Sequence, residues 1–406
     1  EVMDGIYQVR GHDISNITFI RSDNGWIVID PLTVAETAAT ARALVDQHFG
    51  VRPVKAVIYT HSHADHIFGL ASMSKPITGV AVMMLVESGQ IRLSDPVSKF
   101  IPEFAQAAMV AVPRPNGGAG AYDLVSAARP ITVGDLLKHG SGLVSGGLGS
   151  RTADTIAPRG PGDTLATHIP KLAKVPLDFQ PGTLWRYSGL AGFDVLSRIV
   201  EVVSGQTYDK YLEERLFKPL GMKDTAFAFR DARAQRVASM HALRDGKLEV
   251  TQRELNGVYF SGAGGLASTA EDYLQFAQML LNGGELNGKR FLSPRTIELM
   301  TANHTGDMVN GQFGRPAHGM GFGLSMQVVQ DPVAAELAVS KGAYGWAGGT
   351  GVSFWIEPAE QMVSIFFIQG GAANVAANRA VRALVLAVTC DPTLPCSVAT
   401  AAIWAA

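Results

Sequence analysis

The run Ser72-Met73-Ser74-Lys75, followed directly by a long apolar helix pattern, constrains this chain more than any other stretch. Ile77, Val80, Ala81, Met84 and Leu85 fall at i, i+3, i+4, i+7 and i+8, which predicts a buried helix with Ser72 at its first turn. Pro76 is tolerated there, because its missing N–H would have had little to bond. A serine in this position is more often a helix cap than a nucleophile. An isolated hydroxyl needs a proton acceptor beside it and donors for an oxyanion before it can be acylated. Lys75, one turn on, is a candidate acceptor.

Just upstream stands a signature of another kind, Thr60-His61-Ser62-His63-Ala64-Asp65-His66. Two imidazoles two residues apart can grip one metal from a loop, while Asp65 and His66 address a second. Zinc is therefore a candidate cofactor at His61, His63, Asp65 and His66. His139, His168, His241, His304 and His318 sit in no recognisable ligand motif, so a complete zinc pair is not expected, and His139 is read as structural.

The chain has 406 residues, enough for two domains or one large one, and its 47% hydrophobic and 17% charged content describes a globular protein. A net charge of -2 and the lack of basic runs interleaved with aromatics argue against nucleic acid and anionic membrane surfaces. No apolar stretch reaches the roughly 18 residues of a membrane span. A start at Glu1 without a charged and an apolar leader region suggests a processed or trimmed terminus. Cys390 and Cys396 fit a small disulfide loop and two free thiols equally, so compartment stays open, as does oligomeric state.

Residues 1–69 predict strands over 5–10, 17–20 and 26–29, with Asn24-Gly25 as a hairpin signal, then a helix over 34–49 and a buried strand over 54–59. Thr33 with Glu36 fits a capping box, and Gly50 fits the helix stop. From residue 70 the pattern is helix-rich, with helices expected over 133–138, 191–203, 208–217 and 270–281. Residues 112–120 predict a surface excursion. The last third predicts strands over 324–329, 352–356 and 362–368, then a helix over 373–388.

Several further stretches stand in order behind Ser72-Met73-Ser74-Lys75. They are Ile131 to Leu143 with its Asp135-Leu136-Leu137-Lys138-His139, Trp185-Arg186-Tyr187-Ser188-Gly189, Leu220 to Thr225, Gly264 to Thr269 with Asp272, and Gly345-Trp346-Ala347-Gly348-Gly349. In this order and spacing, residues 70–388 resemble the serine β-lactamase and penicillin-binding-protein superfamily, most closely its class C-like branch, the family VIII carboxylesterases. That resemblance implies an α+β fold: an antiparallel sheet flanked by helices, plus a mostly helical region. It implies Ser72 as nucleophile, Lys75 as its proton acceptor, and Tyr187 as general base or relay, a phenol that two nearby cationic amines help to ionise. The backbone N–H groups of Ser72 and Gly349 would hold the oxyanion, with Trp346 and Gly348 beside the substrate. No cofactor is required for such chemistry.

Departures from the pattern bear on the substrate, a small-molecule ester. Trp346-Ala347-Gly348 stands where lactamases carry Lys-Thr-Gly, and an indole cannot neutralise a carboxylate, which favours a neutral ester over an anionic lactam. Gly189 replaces an asparagine. Tyr187 and Trp346 taken singly would be ordinary packing residues.

Residues 1–69, with Val9 to Ile20, Gly25 to Pro31 and the histidine cluster, look like the start of a metallo-β-lactamase-fold alkyl sulfatase. The expected organisation is thus a βββαβ segment over 1–69, an esterase domain over 70–388 and a tail over 389–406, a chimera whose join would leave a sheet edge if misfitted. The expected activity is hydrolysis of short-chain carboxylic esters, with weak β-lactam turnover. Metal-dependent hydrolysis, of sulfate esters included, and an inactive scaffold are the alternatives.

Overall fold

A computed structural model describes residues 2, 5–10, 17–22, 25–29, 35–58, 66–106, 108–244, 247–251, 257–312, 315–370 and 401–404. The chain divides into two compact units, Glu1–His66 with Ile403–Ala406, and Ile67–Ala402.

In the first unit Ile6–Val9, Ile17–Ser22 and Gly25–Ile29 form an antiparallel meander. Helix Ala35–Phe49 then leads to Val54–Ile58, which pairs parallel with Gly25–Ile29. The predicted order of three strands, helix and strand is present, since alternation in Ile17–Ser22 and the two-residue hairpin are local signals. Ser22 pairs with Gly25, and the turn residues Asp23 and Asn24 lie outside the described residues, as does Thr33 of the expected cap. Phe19, Trp26, Val28, Ala41 and Val45 form this unit's core, with Tyr7 and Phe19 edge-on to the fully buried Trp26. That order is local geometry and by itself assigns no family.

The second unit is built around helix Ser74–Glu87, whose Ile77, Val80, Ala81 and Val82 are completely buried. Helix Ala191–Ser204 packs on it and on Val133–Leu137, presenting Val195, Leu196, Ile199 and Val200, and stops at Gly205, whose φ of 70° suits glycine. Beside these helices lies a sheet in which Met320–Phe322, Gln327–Val329, Tyr344–Ala347, Ser353–Glu357 and Met362–Phe367 follow in order. These five strands are antiparallel neighbours in sequence. Helix Ala270–Leu281 covers it, with the Tyr273 ring 5.1 Å from Phe354 and 5.9 Å from Phe367. The architecture is the expected α+β arrangement.

Three local expectations need correction. Ser72 lies in a tight 3-10 turn, Ala71–Met73, and the α-helix proper begins at Ser74. The chain must pass from the short strand Phe68–Gly69, paired with Ala267–Ser268, into the helix within a few residues, and Ala71 takes a left-handed φ of 44° to do so. The stretch 324–329 is a hairpin turn and a strand rather than one strand. Leu324 N–H goes to Met300 O and Ser325 N–H to Leu137 O, so these donors are spent outside the sheet. The surface excursion expected over 112–120 is the exposed end of a β-hairpin between Met109–Pro113 and Tyr122–Ser126. The helix over 208–217 widens to π-type turns at Glu213–Phe217. The helix expected over 373–388, Cys390 and Cys396 lie outside the described residues.

The family-like stretches also find partners here. Asp135 closes a capping box with Thr132 and takes a bidentate bond from Arg129 at 2.5 and 2.9 Å. Asp272 accepts from the Asp224 N–H at 2.6 Å and the Thr225 hydroxyl at 2.9 Å, which ties two separate motifs together.

Candidate active site

The 3-10 turn and the helix start carry Ser72 and Lys75 on adjacent turns, so that Lys75 Nζ lies 3.2 Å from Ser72 Oγ. From a segment 115 positions away, the Tyr187 hydroxyl reaches the same Oγ at 2.6 Å. Lys75 is fully buried, and its amine also donates to Gly189 O and Ala263 O, each at 2.7 Å. Carbonyl oxygens only accept, so two of the three free tetrahedral positions on Nζ carry hydrogens. The third faces Ser72 Oγ. In the neutral amine that third position holds the lone pair, aimed at the serine proton. Burial drives the Lys75 pKa below that of an ordinary lysine, against the opposing pull of Tyr187 and Asp194.

Several bonds fix the turn. Tyr273 Oη donates to Met73 O at 3.0 Å, and Ser74 Oγ accepts from Leu266 N–H at 3.2 Å. Strand Tyr344–Ala347 packs against the turn. Gly348 ends that strand so close to residue 70 that a Cβ there would lie 2.3 Å from Leu70 O. Because the obstacle is backbone, no rotamer relieves it. Gly348→Ala is expected to cost about 1–3 kcal/mol in thermal unfolding and to depress activity more than the stability loss explains. Equal activity per folded molecule would sink that expectation. Gly349 follows Gly348 directly, and Thr350 Oγ1 donates to Gly69 O at 2.7 Å, holding this end of the strand at the approach to the serine turn.

Trp346 is buried, with its ring 5.7 Å from that of Tyr187. The sequence argument that an indole leaves this corner without positive charge is corrected by Arg315. Its guanidinium sits 4.8 Å from the Trp346 ring and 4.7 Å from Trp185, between two indoles. Burial lowers the Arg315 pKa to about 10, with Tyr187 opposing, and the group stays cationic near neutrality. The sequence around Arg315 has no motif, so only the loop's return to the site reveals it. His139 packs its ring 4.7 Å from Tyr187, and its Nδ1 accepts from Ser188 N–H at 3.2 Å. Burial, with Lys75 and Arg315 adding to it, holds the His139 pKa well below the usual imidazole range. His139 is thus a neutral packing residue, as its segment predicts. An open, mostly apolar cleft of about 670 Å³ adjoins Tyr187, lined by Val144, Gly146, Trp185, Gly189 and Gln312.

Of the candidate zinc ligands, His61, His63 and Asp65 lie outside the described residues, and His66 lies within them. Among the described residues no group of three or more His, Cys, Asp or Glu side chains converges as a metal site would require. Among the described residues no helix is long and apolar enough to cross a membrane.

An antiparallel sheet packed on a Ser-x-x-Lys turn, with a tyrosine hydroxyl on the serine, defines a serine hydrolase of the lactamase and transpeptidase type. Residues 37–389 match the family model described as Beta-lactamase, and the chain belongs to that family. The match begins within the N-terminal unit. Protein Rv1367c of Mycobacterium tuberculosis is 34% identical over 326 residues, covering 75% of this chain and 78% of that protein. Esterase EstB of Burkholderia gladioli is 30% identical over 358 residues, covering 79% of each. In fold the chain is similar to EstCE1, described as a hydrolase with promiscuous acyltransferase activity, at a TM-score of 0.63 and 24% identity, over 78% of this chain and 83% of that one.

Proposed function

We propose that this hydrolase cleaves small carboxylic esters of short acyl chain through an acyl-enzyme on Ser72. The observation that supports it most is the convergence of Lys75 Nζ and Tyr187 Oη on one serine oxygen, with the other Lys75 hydrogens committed to carbonyls. Ser72 Oγ attacks the ester carbonyl as its proton passes to the Lys75–Tyr187 unit. The developing oxyanion is held by the Ser72 and Gly349 N–H groups, an interaction typically worth about 3–4 kcal/mol. The same unit returns the proton to the departing alkoxide, and water then cleaves the acyl-enzyme by the reverse route. Gly348 and Trp346 form the wall beside the acyl group. The esterase activity named for EstB, in a relative covering 79% of each chain, favours esters over lactams. An alcohol entering in place of water would give acyl transfer, as the description of EstCE1 has for that protein.

For residues 1–69, a likeness to a metallo-β-lactamase-fold alkyl sulfatase would rest on the His61, His63, Asp65, His66 pattern in the sequence. The metal-dependent reading is second, because the convergence on Ser72 and the family match over residues 37–389 both favour the serine chemistry.

The test is a quenched reaction with p-nitrophenyl butyrate, digested and read by mass spectrometry, with and without prior chelation. A butyryl group on the Ser72 peptide in both samples is expected. Chelation that abolishes turnover, with no adduct on Ser72, would reject the serine reading.

A further inference from the structure

Asp194 is a buried carboxylate to which the acyl-enzyme chemistry gives no task. It lies on helix Ala191–Ser204, is 2% exposed, and accepts three bonds. Ser261 Oγ donates to Oδ1 at 2.6 Å, Ala263 N–H to Oδ1 at 3.2 Å, and Tyr259 Oη to Oδ2 at 3.0 Å. A backbone N–H can only donate, and three donors aimed at one group suit the ionised form. The same residue Ala263 offers its carbonyl to Lys75 Nζ at 2.7 Å, and Gly189, the other carbonyl acceptor, lies five positions before Asp194.

We propose that Asp194 is a positioning residue for Lys75: it places a negative charge behind the amine and pins Ala263, whose carbonyl takes one Lys75 hydrogen. Without that acceptor the amine would be free to rotate, and its third position would no longer face Ser72 Oγ. The inference rests on the acyl-enzyme reading of Ser72.

The groups facing the pair define what a titration would report. Around Lys75 these are Tyr187, with the amine nitrogen 5.0 Å from its ring centroid, and the neutral His139. Around Asp194 they are Tyr259, with the Arg159 guanidinium 4.6 Å from its ring, and the buried Tyr208. Tyr259 and Tyr208 are both held above the ordinary phenol range by burial, with Asp194 adding to it, so neither contributes a charge near neutrality. Burial raises the Asp194 pKa, while its hydrogen bonds and Lys75 oppose that rise. Asp194 is one of two groups that raise the Lys75 pKa against burial, the other being Tyr187.

The consequence is a signed shift. Removing the negative charge makes protonation of Lys75 harder, so the free base persists to lower pH. In Asp194→Asn the acidic limb of kcat/KM for p-nitrophenyl butyrate is expected to move down by about 0.5–1 pH unit. The plateau should fall as well, because the amide accepts fewer of the three donors. Tyr259→Phe keeps the carboxylate but removes one bond to it, favouring its protonated form, and should move the limb the same way by less. A residue that only held the fold would lower the plateau and leave the limb in place. An unmoved or upward-moving limb in folded Asp194→Asn overturns the proposal, and if that variant does not fold, the same outcome in Tyr259→Phe does so. Turnover that survives Ser72→Ala would instead overturn the acyl-enzyme reading, whatever the limb does.

Discussion

Ser72→Ala is expected to lower turnover of p-nitrophenyl butyrate by about 10⁴-fold or more, in metal-free protein and in protein supplied with zinc alike. The reason is chemical rather than architectural. The Ser72 side chain is part-buried, and its hydroxyl bonds Lys75 Nζ and Tyr187 Oη, both of them groups of the reaction itself. Its loss removes the atom that is acylated while leaving the turn, held by Tyr273 and Leu266, in place. Thermal unfolding should therefore change little, and a circular dichroism melt beside the activity assay checks this. Zinc-dependent activity that persists in Ser72→Ala would move the function to the histidine cluster.

Lys75→Met is expected to cost about 10²–10⁴-fold in kcat/KM, the usual contribution of a positioned base. The thioether fills the buried volume but donates nothing, so Gly189 O and Ala263 O each lose a bond. The bond to Ala263 O is buried, and leaving that acceptor unpaired costs about 1–3 kcal/mol, which is partly offset because a buried amine no longer has to be desolvated. The wild-type pH profile carries the matching signature. Below the Lys75 pKa the amine is ammonium, its third position carries a hydrogen, and it cannot take the serine proton; above it the lone pair is free. Since burial lowers that pKa, activity should rise through an acidic limb placed below the ordinary lysine range. A Lys75→Met protein that keeps both its rate and its limb would transfer the base role to Tyr187. Comparing it with Tyr187→Phe then apportions the proton path between the two groups that reach Ser72 Oγ.

Much of the fold is local and therefore legible in the sequence. The strand at Ile17–Ser22, the Gly50 stop and the helix pattern from Ile77 to Leu85 are set by local spacing and turn chemistry, which do not depend on distant partners. Helix Ala270–Leu281 begins and ends where its sequence predicts. The errors fall where tertiary partners compete for the same backbone. Leu324 and Ser325 have strand-like sequence, yet their N–H groups are taken by Met300 and Leu137.

The sequence by itself determined the elements and nominated Ser72, Lys75, Tyr187, Trp346, Gly348 and Gly349, because those residues sit in short motifs with fixed local spacing. Only the tertiary structure decided that Tyr187 reaches the serine across 115 positions, that Arg315 returns a cation to the indole corner, and that Asp194 holds the N–H of the residue whose carbonyl takes a Lys75 hydrogen. The physical reason is that a periodic pattern reports which face of an element is buried, whereas charge and hydrogen-bond pairing across a core depend on which faces meet. Ala263 is the sharpest case: an ordinary alanine in sequence, it joins a buried carboxylate to the amine through one N–H and one carbonyl.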